Sequence, residues 1–356
     1  MVKRFFASLL ALLLILVCLP ISANGEDRAG EMIAGIERYK DANDCQAWLD
    51  GELTDIAGQG AEWYLPALIK RCPTLDYTRY EAALRRALSA GTMTSPATKM
   101  NCALILALLG SSPDLIRSTL DASIGQAGIM SWIYGLHLLN AGYTATEYTA
   151  ESVVETLLGL RKNDEGWAVS GDYADVDVTA MALQAMAPNR ALPGVNDAVE
   201  QALALLASRQ LTSGGFKSYG VENANSSAMV LLALACLGLD AADAGFTGGY
   251  PRLFDGIAQF ATTSGGFSYK IGEDVNEVAT KQIYLALSAY EAMLDGKTSV
   301  FLPDVAPGSF TPTDPSVPHR SVSLVILYVS VPVLAVSIAV FFFLRKRKDS
   351  AEKAPK

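Results

Sequence analysis

Between residues 26 and about 300 the chain alternates two kinds of helical segment. In one kind the charges fall on a single side, as in a helix with one solvated face. EMIAGIERYKDAN, YTRYEAALRRALSAG, PDLIRSTLDASI, ESVVETLLGLRK, VNDAVEQALALLASRQ and YPRLFDGIAQFATT belong to it. The other kind is apolar nearly all round and is expected to be buried on every side. These segments begin near Trp63, Thr98, Trp132, Thr179, Ser227 and Thr280, each after a polar or glycine-containing turn. No stretch alternates convincingly as a strand would. The pattern predicts an all-α body of about six hairpins, with apolar inner helices enclosed by amphipathic outer ones. A closed ring buries the inner set without open ends, but an open solenoid satisfies the same pattern.

Self-similarity supports the hairpin count. EGWAVSGDYADVDVTAMALQAM, GGFKSYGVENANSSAMVLLAL and GGFSYKIGEDVNEVATKQIYLAL each run through glycine, an aromatic, a polar loop, Thr or Ser, and an apolar helix. Anchored on Thr179, Ser227 and Thr280, the period is about fifty residues, room for two helices and their connections. These segments resemble the prenyltransferase and squalene-cyclase repeat. QLTSGGF, Gln210 to Phe216, resembles the QxxxGxW signature of that superfamily with Phe in place of Trp. GDYADVDVTAMALQAMAP and YGVENANSSAMVLLALACLG further resemble exported bacterial surface proteins carrying the same domain. The resemblance covers roughly residues 30 to 295 and implies an α/α toroid (α6/α6). Vitamin B12 carriers also use such a toroid as one domain, so the architecture implies binding without catalysis as readily as catalysis.

Three aspartates, Asp172, Asp175 and Asp177, precede the apolar helix of the first clear repeat. Asp175-Val176-Asp177-Val178 resembles the DxDD motif of class II terpene cyclases, which implies Asp177 as the proton donor. The last acid of the motif is Val178 here, and the chain has room for one helical domain where those cyclases usually pair two. The zinc of protein prenyltransferases needs an Asp and a Cys two apart and a His. The body has no D-x-C, and its only histidine outside the stalk is His137. The EF-hand pattern for calcium is also missing. No metal is therefore expected, and the sequence leaves any cofactor unknown.

Short polar residues ahead of a helix also cap its free N–H groups. Asn223 and Asn276 match Asp175, Asn225 matches Asp177, and Ser227 and Thr280 match Thr179, so polarity recurs where charge does not. The toroid resemblance implies that the inner-helix starts gather around one mouth. Asp172, Tyr173, Asp175, Asp177, Tyr219, Glu222, Asn223, Asn225, Tyr269, Asp274, Asn276 and Glu277 are the expected ligand-binding mouth. Trp63, Trp132, Tyr134, Trp167 and His137 are either core or further cavity lining. The leading expectation is a domain that binds a small molecule or a surface partner without catalysis. A cyclase-like enzyme using Asp177 as general acid, and a structural scaffold, are the alternatives.

The ends bear on location. MVKRFF, the apolar SLLALLLILVCLP and the small residues of ISANGED form the three parts of a secretory signal peptide, expected over residues 1–25. Residues 321–344 are an uncharged run long enough to span a ~30 Å hydrocarbon core. RKRK follows directly, and basic residues at a membrane exit stay in the cytoplasm. Residues 301–320, rich in Pro, Thr and Ser, read as a stalk, and 345–356 as a basic cytoplasmic tail. The expectation is a single-pass cell-membrane protein with its N-terminal domain outside. The net charge of −9 argues against nucleic-acid binding. Cys45 and Cys72 lie in polar surroundings where pairing is open to them, whereas Cys102 and Cys236 sit in apolar helices as small hydrophobes.

Overall fold

The structure is a computed structural model that describes residues 25–111, 113–241 and 252–304. The expected leader up to residue 24, the membrane span and basic tail, and most of the stalk lie outside the described residues, while Gly25, the last leader position, already belongs to the first helix. Among those that are described, no helix is long and apolar enough to cross a membrane.

The alternation in the sequence becomes an alternation of layers. The first outer helix is α1 (Gly25–Tyr39), followed by the short α2 (Cys45–Trp48) and the inner α3 (Leu65–Arg71). Outer and inner helices then alternate: α4 (Thr78–Ser89), α5 (Pro96–Leu108), α6 (Pro113–Ser123) and α7 (Gly128–Asn140). They continue as α8 (Ala150–Gly159), α9 (Val176–Met186), α10 (Val195–Arg209) and α11 (Ala224–Cys236). The last pair is α12 (Leu253–Ala258) and α13 (Glu277–Leu294). Burial follows the pattern. The inner α11 buries every residue from Ser226 to Ala235, while the outer α10 buries only Val195, Ala198, Val199, Ala202, Leu203 and Leu206, one stripe at helical spacing.

Inner helices touch in the circuit α3–α5–α7–α9–α11–α13 and back to α3. That circuit decides between the two arrangements the pattern allows: the body is a closed ring. One outer helix separates successive inner ones, so the inner helices run parallel, with their N-termini at one end. Contacts between the preceding loops agree, since the Ser218 hydroxyl bonds Asp175 and the Ala224 N–H donates to the Tyr269 carbonyl at 3.1 Å.

The repeat has a physical meaning at each inner-helix start. Thr179 Oγ1 accepts from the Trp167 N–H at 3.0 Å and lies 3.1 Å from the Trp167 carbonyl. Ser227 accepts from the Phe216 N–H at 3.1 Å, and Thr280 from the Phe267 N–H at 3.0 Å. The hydroxyl thus clamps the backbone of a fully buried aromatic 11 to 13 residues earlier. At Gly166 this approach leaves no room for a side chain, because a Cβ there would stand 2.7 Å from Thr179 Oγ1 and 2.6 Å from the Ala174 methyl. Gly265, at φ +99°, packs its backbone against Gly35 of α1, and a side chain there would collide with it.

The Gly265 contact belongs to the seam where the ring closes and α13 meets α1 and α3. Trp48, Tyr64 and Tyr284 meet edge to face across it, with centroids 5.0 to 6.0 Å apart. Lys40 pairs with Glu52 at 2.7 Å and Glu277 at 2.8 Å, and Tyr64 Oη donates to Glu277 at 2.8 Å. Arg71 joins Glu37 and Glu291, and Tyr284 Oη donates to Glu37 at 3.2 Å. The body also runs past residue 300, where the sequence pattern places the start of the stalk. Phe301 is buried against His137 at a centroid distance of 4.5 Å, and Lys70 Nζ reaches Thr298, the Leu302 carbonyl and Asp304.

Removing one clamp tests its weight. Thr179→Val leaves the buried Trp167 N–H without an acceptor and is expected to cost about 2 kcal/mol in denaturant unfolding. Thr179→Ser keeps the oxygen and loses much less; equal losses in the two variants would show that the hydroxyl is not what matters.

Candidate functional site

The polar residues at the mouth divide by what they bond. Asp175 caps α9, accepting from the Asp177 N–H at 3.0 Å and the Val178 N–H at 3.1 Å, and its second oxygen takes the Ser218 hydroxyl. Asn223 caps α11 through the Ser226 N–H at 2.9 Å, and Asn276 caps α13 through the Ala279 N–H at 3.0 Å. Longer acids reach sideways. Glu222 turns to Ser213 and Gln259, both at 2.6 Å, and Glu277 is held in the seam by Tyr64 and Lys40. Asp172 and Asp274 are exposed, Tyr173 and Tyr219 are 70% and 84% exposed, and Tyr269 is half-buried with Lys270 over its ring.

Asp177 and Asn225 differ from all of these. Outer helices and neighbours cover an inner helix on every side except the one that faces the axis. Among the positions that keep some accessibility are Asp177 and Met181 on α9, Asn225 on α11, Val278 and Gln282 on α13, and Asn101 on α5. Within one helix they are four apart, hence on one face. Asp177 Oδ1, Asn225 Oδ1 and Gln282 Oε1 are buried without a hydrogen-bond partner, as is Ser288 Oγ farther along α13. Buried polar atoms are nearly always paired, and each orphan costs about 1–3 kcal/mol. Burial pushes the Asp177 carboxyl up to about 6 from its ordinary 3.8; the Ser226 hydroxyl opposes the rise and Asp175 adds to it.

Toward α3, α5 and α7 lies a cavity of about 470 Å³ lined by Gly58, Gln59, Gly60, Glu62, Trp63, Ala97, Thr98, Asn101, Met130 and Tyr134. Glu62 holds its rim. Its carboxylate accepts from the Gly58 N–H at 2.6 Å, the Gly60 N–H at 2.9 Å and Tyr80 Oη at 2.9 Å. Lys281 Nζ lies behind Gly60, and burial lowers its pKa against the pull of Glu277 and Glu62. Of the aromatics singled out in the sequence, Trp63 and Tyr134 line this cavity. Trp132 packs on Tyr148 at 5.1 Å, and Trp167 is core, its indole N–H donating to the Leu157 carbonyl at 2.7 Å. His137 is buried, and that burial drives its pKa down to about 3, so it is neutral.

Gln282, Asn101, Glu62 and Lys281 were not among the expected site residues. A signal for Gln282 existed: two residues after each clamp hydroxyl stand Met181, Met229 and Gln282, so polarity breaks an apolar register there. Among the described residues no group of three or more His, Cys, Asp or Glu is placed to hold a metal.

No family model matches this chain, and no curated protein does. Solved structures resemble it. The unsaturated glucuronyl hydrolase of Bacillus sp. GL1, responsible for the degradation of glycosaminoglycan, is 13% identical over 79% of this chain and 100% of its own, with a TM-score of 0.51. A possible member of the GH105 family from Salmonella enterica is 12% identical over 75% and 95%, at 0.49. A type II terpene cyclase from Scytonema is 14% identical over 76% and 98%, at 0.46. At such identity the likeness concerns architecture and not activity. The glucuronyl hydrolase and this body share the α/α-toroid fold.

Two variants probe the N-terminus of α9. The raised Asp177 carboxyl makes the folded state hold a proton that the unfolded chain releases between about pH 4 and 6. Stability is therefore full below that window and falls as pH rises through it. Asp177→Asn is expected to be more stable than wild type at pH 7.5 by about 2 kcal/mol, and equal to it near pH 3.5, in thermal melts across pH. A difference independent of pH would refute the shifted acid. Asp175→Ala removes a cap and should cost about 1–2 kcal/mol at neutral pH.

Proposed function

We propose that the toroid binds a small molecule rich in hydrogen-bond donors at the N-terminal end of its axis, without chemical turnover. We further propose that a C-terminal span at residues 321–344 displays it on the outer face of the cell membrane. One observation carries the binding reading: three neighbouring inner helices, α9, α11 and α13, each present a buried acceptor with no donor. Hydroxyl or amino groups of a ligand would complete Asp177, Asn225 and Gln282, and the aromatic walls Trp63 and Tyr134 would meet its apolar faces. A glucuronyl sugar, which the Bacillus enzyme's name gives as its substrate, is one molecule with such donors.

A second reading has an observation of its own. A carboxyl raised to about 6 stays partly protonated near neutrality, as a general acid must. Its neighbours serve that role poorly. Both oxygens of Asp175 are engaged in the cap and with Ser218, and buried Val178 offers no charge to polarise the acid. Binding therefore accounts for more of the site than acid catalysis does.

Native mass spectrometry of the full-length chain, isolated from its own host, separates the readings. The expected result is a retained small molecule that is lost in Asp177→Ala/Asn225→Ala and kept in Asp172→Ala. Turnover of an isoprenoid that disappears in Asp177→Asn would replace binding with cyclase-like catalysis. A chain free of adduct in every form would leave a scaffold.

A further inference from the structure

Cys45 opens α2, and Cys72 caps the C-terminus of α3. They are 27 positions apart in sequence, yet their Sγ atoms stand 3.6 Å from each other. A disulfide needs about 2.05 Å, so the sulfurs must close by roughly 1.5 Å, within reach of small χ1 rotations. Neither thiol is fully buried, which leaves both open to an oxidant. The other two described cysteines have different neighbours: Cys102 Sγ faces Met93 Sδ at 3.9 Å, and Cys236 Sγ faces the Ser299 hydroxyl at 3.6 Å.

The place of the pair in the fold gives it a consequence. Residues 45–53 carry Trp48, which packs on Tyr64 and Tyr284, and Glu52, which bonds the Trp48 indole at 3.1 Å and pairs with Lys40. Lys40 in turn holds Glu277 in the first turn of α13. This short segment therefore bridges the first and last hairpins. It holds the residues that flank α3 by edge-to-face aromatic contact with Tyr64 and by the hydrogen bonds of Gln46 to the Asp76 backbone, at 3.0 and 2.9 Å.

We propose that Cys45 and Cys72 form a disulfide that fastens the ring at its seam. The oxidant is a disulfide-bearing one, either a thiol–disulfide oxidoreductase or a low-molecular-weight disulfide. One cysteine thiolate attacks its S–S bond, forms a mixed disulfide and expels one thiolate. The second cysteine then attacks the mixed disulfide and expels the other. Two S–H bonds of the chain become one S–S bond, and the oxidant takes up two electrons and two protons as two thiols. The inference is independent of what the axial cavity binds.

The test uses the full-length chain, equilibrated with oxidised glutathione, alkylated under denaturing conditions and mapped by peptide mass spectrometry. The expected product is a Cys45–Cys72 cross-linked peptide, two hydrogens lighter than the separate peptides. The oxidised chain should melt about 5–10 °C above the reduced one, and Cys45→Ser and Cys72→Ser should each abolish that difference. Both thiols alkylated after oxidation, glutathione retained on either, or a cross-link to another cysteine would overturn the proposal. The mapping needs no variant, so it decides the question even if the serine variants fold poorly.

Discussion

Half of the ring depends on one recurring contact, a buried hydroxyl at the fourth helical position gripping the backbone of an aromatic that precedes its loop. An inner helix with no polar face has little besides its cap and this contact to set its register, because apolar burial is non-directional. Thr179, Ser227 and Thr280 supply direction: each fixes how far its helix is rotated and how closely the loop folds over its start. Gly166 before Trp167 follows from that closeness, not from a need for flexibility. The contact recurs at three consecutive inner helices, α9, α11 and α13, of the closed circuit.

That rotation also makes the site. With the hydroxyl turned toward the loop, the residue two positions earlier turns toward the axis, which is where Asp177 and Asn225 stand, and the residue two positions later brings Gln282 to the same face. Evolution of a purely structural ring would fill these places with Met or Val, as Met181, Met229 and Val278 do at sister positions. Three acceptors left unpaired there are a standing cost to stability, and a ligand that donates to them recovers it. Two features stand apart: unpaired acceptors on α9, α11 and α13, and a cavity with aromatic walls at Trp63 and Tyr134 and a rim locked by Glu62.

Much of this was legible in the sequence because periodicity and burial are nearly the same information. Alternating amphipathic and apolar segments foretold the two layers, and the Gly-aromatic repeat foretold the aligned helix starts. The caps at Asp175, Asn223 and Asn276 were readable as short polar residues before apolar runs. Closure of the ring came from the family resemblance and not from periodicity, since the seam joins α1 and α3 to α13 through Lys40, Tyr64, Glu277 and Arg71, which no local pattern connects. Nor was the direction of long side chains. Glu222 and Glu277 sit among the mouth residues by position, but their reach takes them to Gln259 and to the seam.

The most direct test of the central claim is a crystal structure of the protein purified from its own host, read at the axial face of α9, α11 and α13. The account predicts density for a bound molecule with donor atoms within about 2.7–3.2 Å of Asp177 Oδ1, Asn225 Oδ1 and Gln282 Oε1. A ring centre filled by side chains, with the three acceptors paired to one another's neighbours, would contradict it.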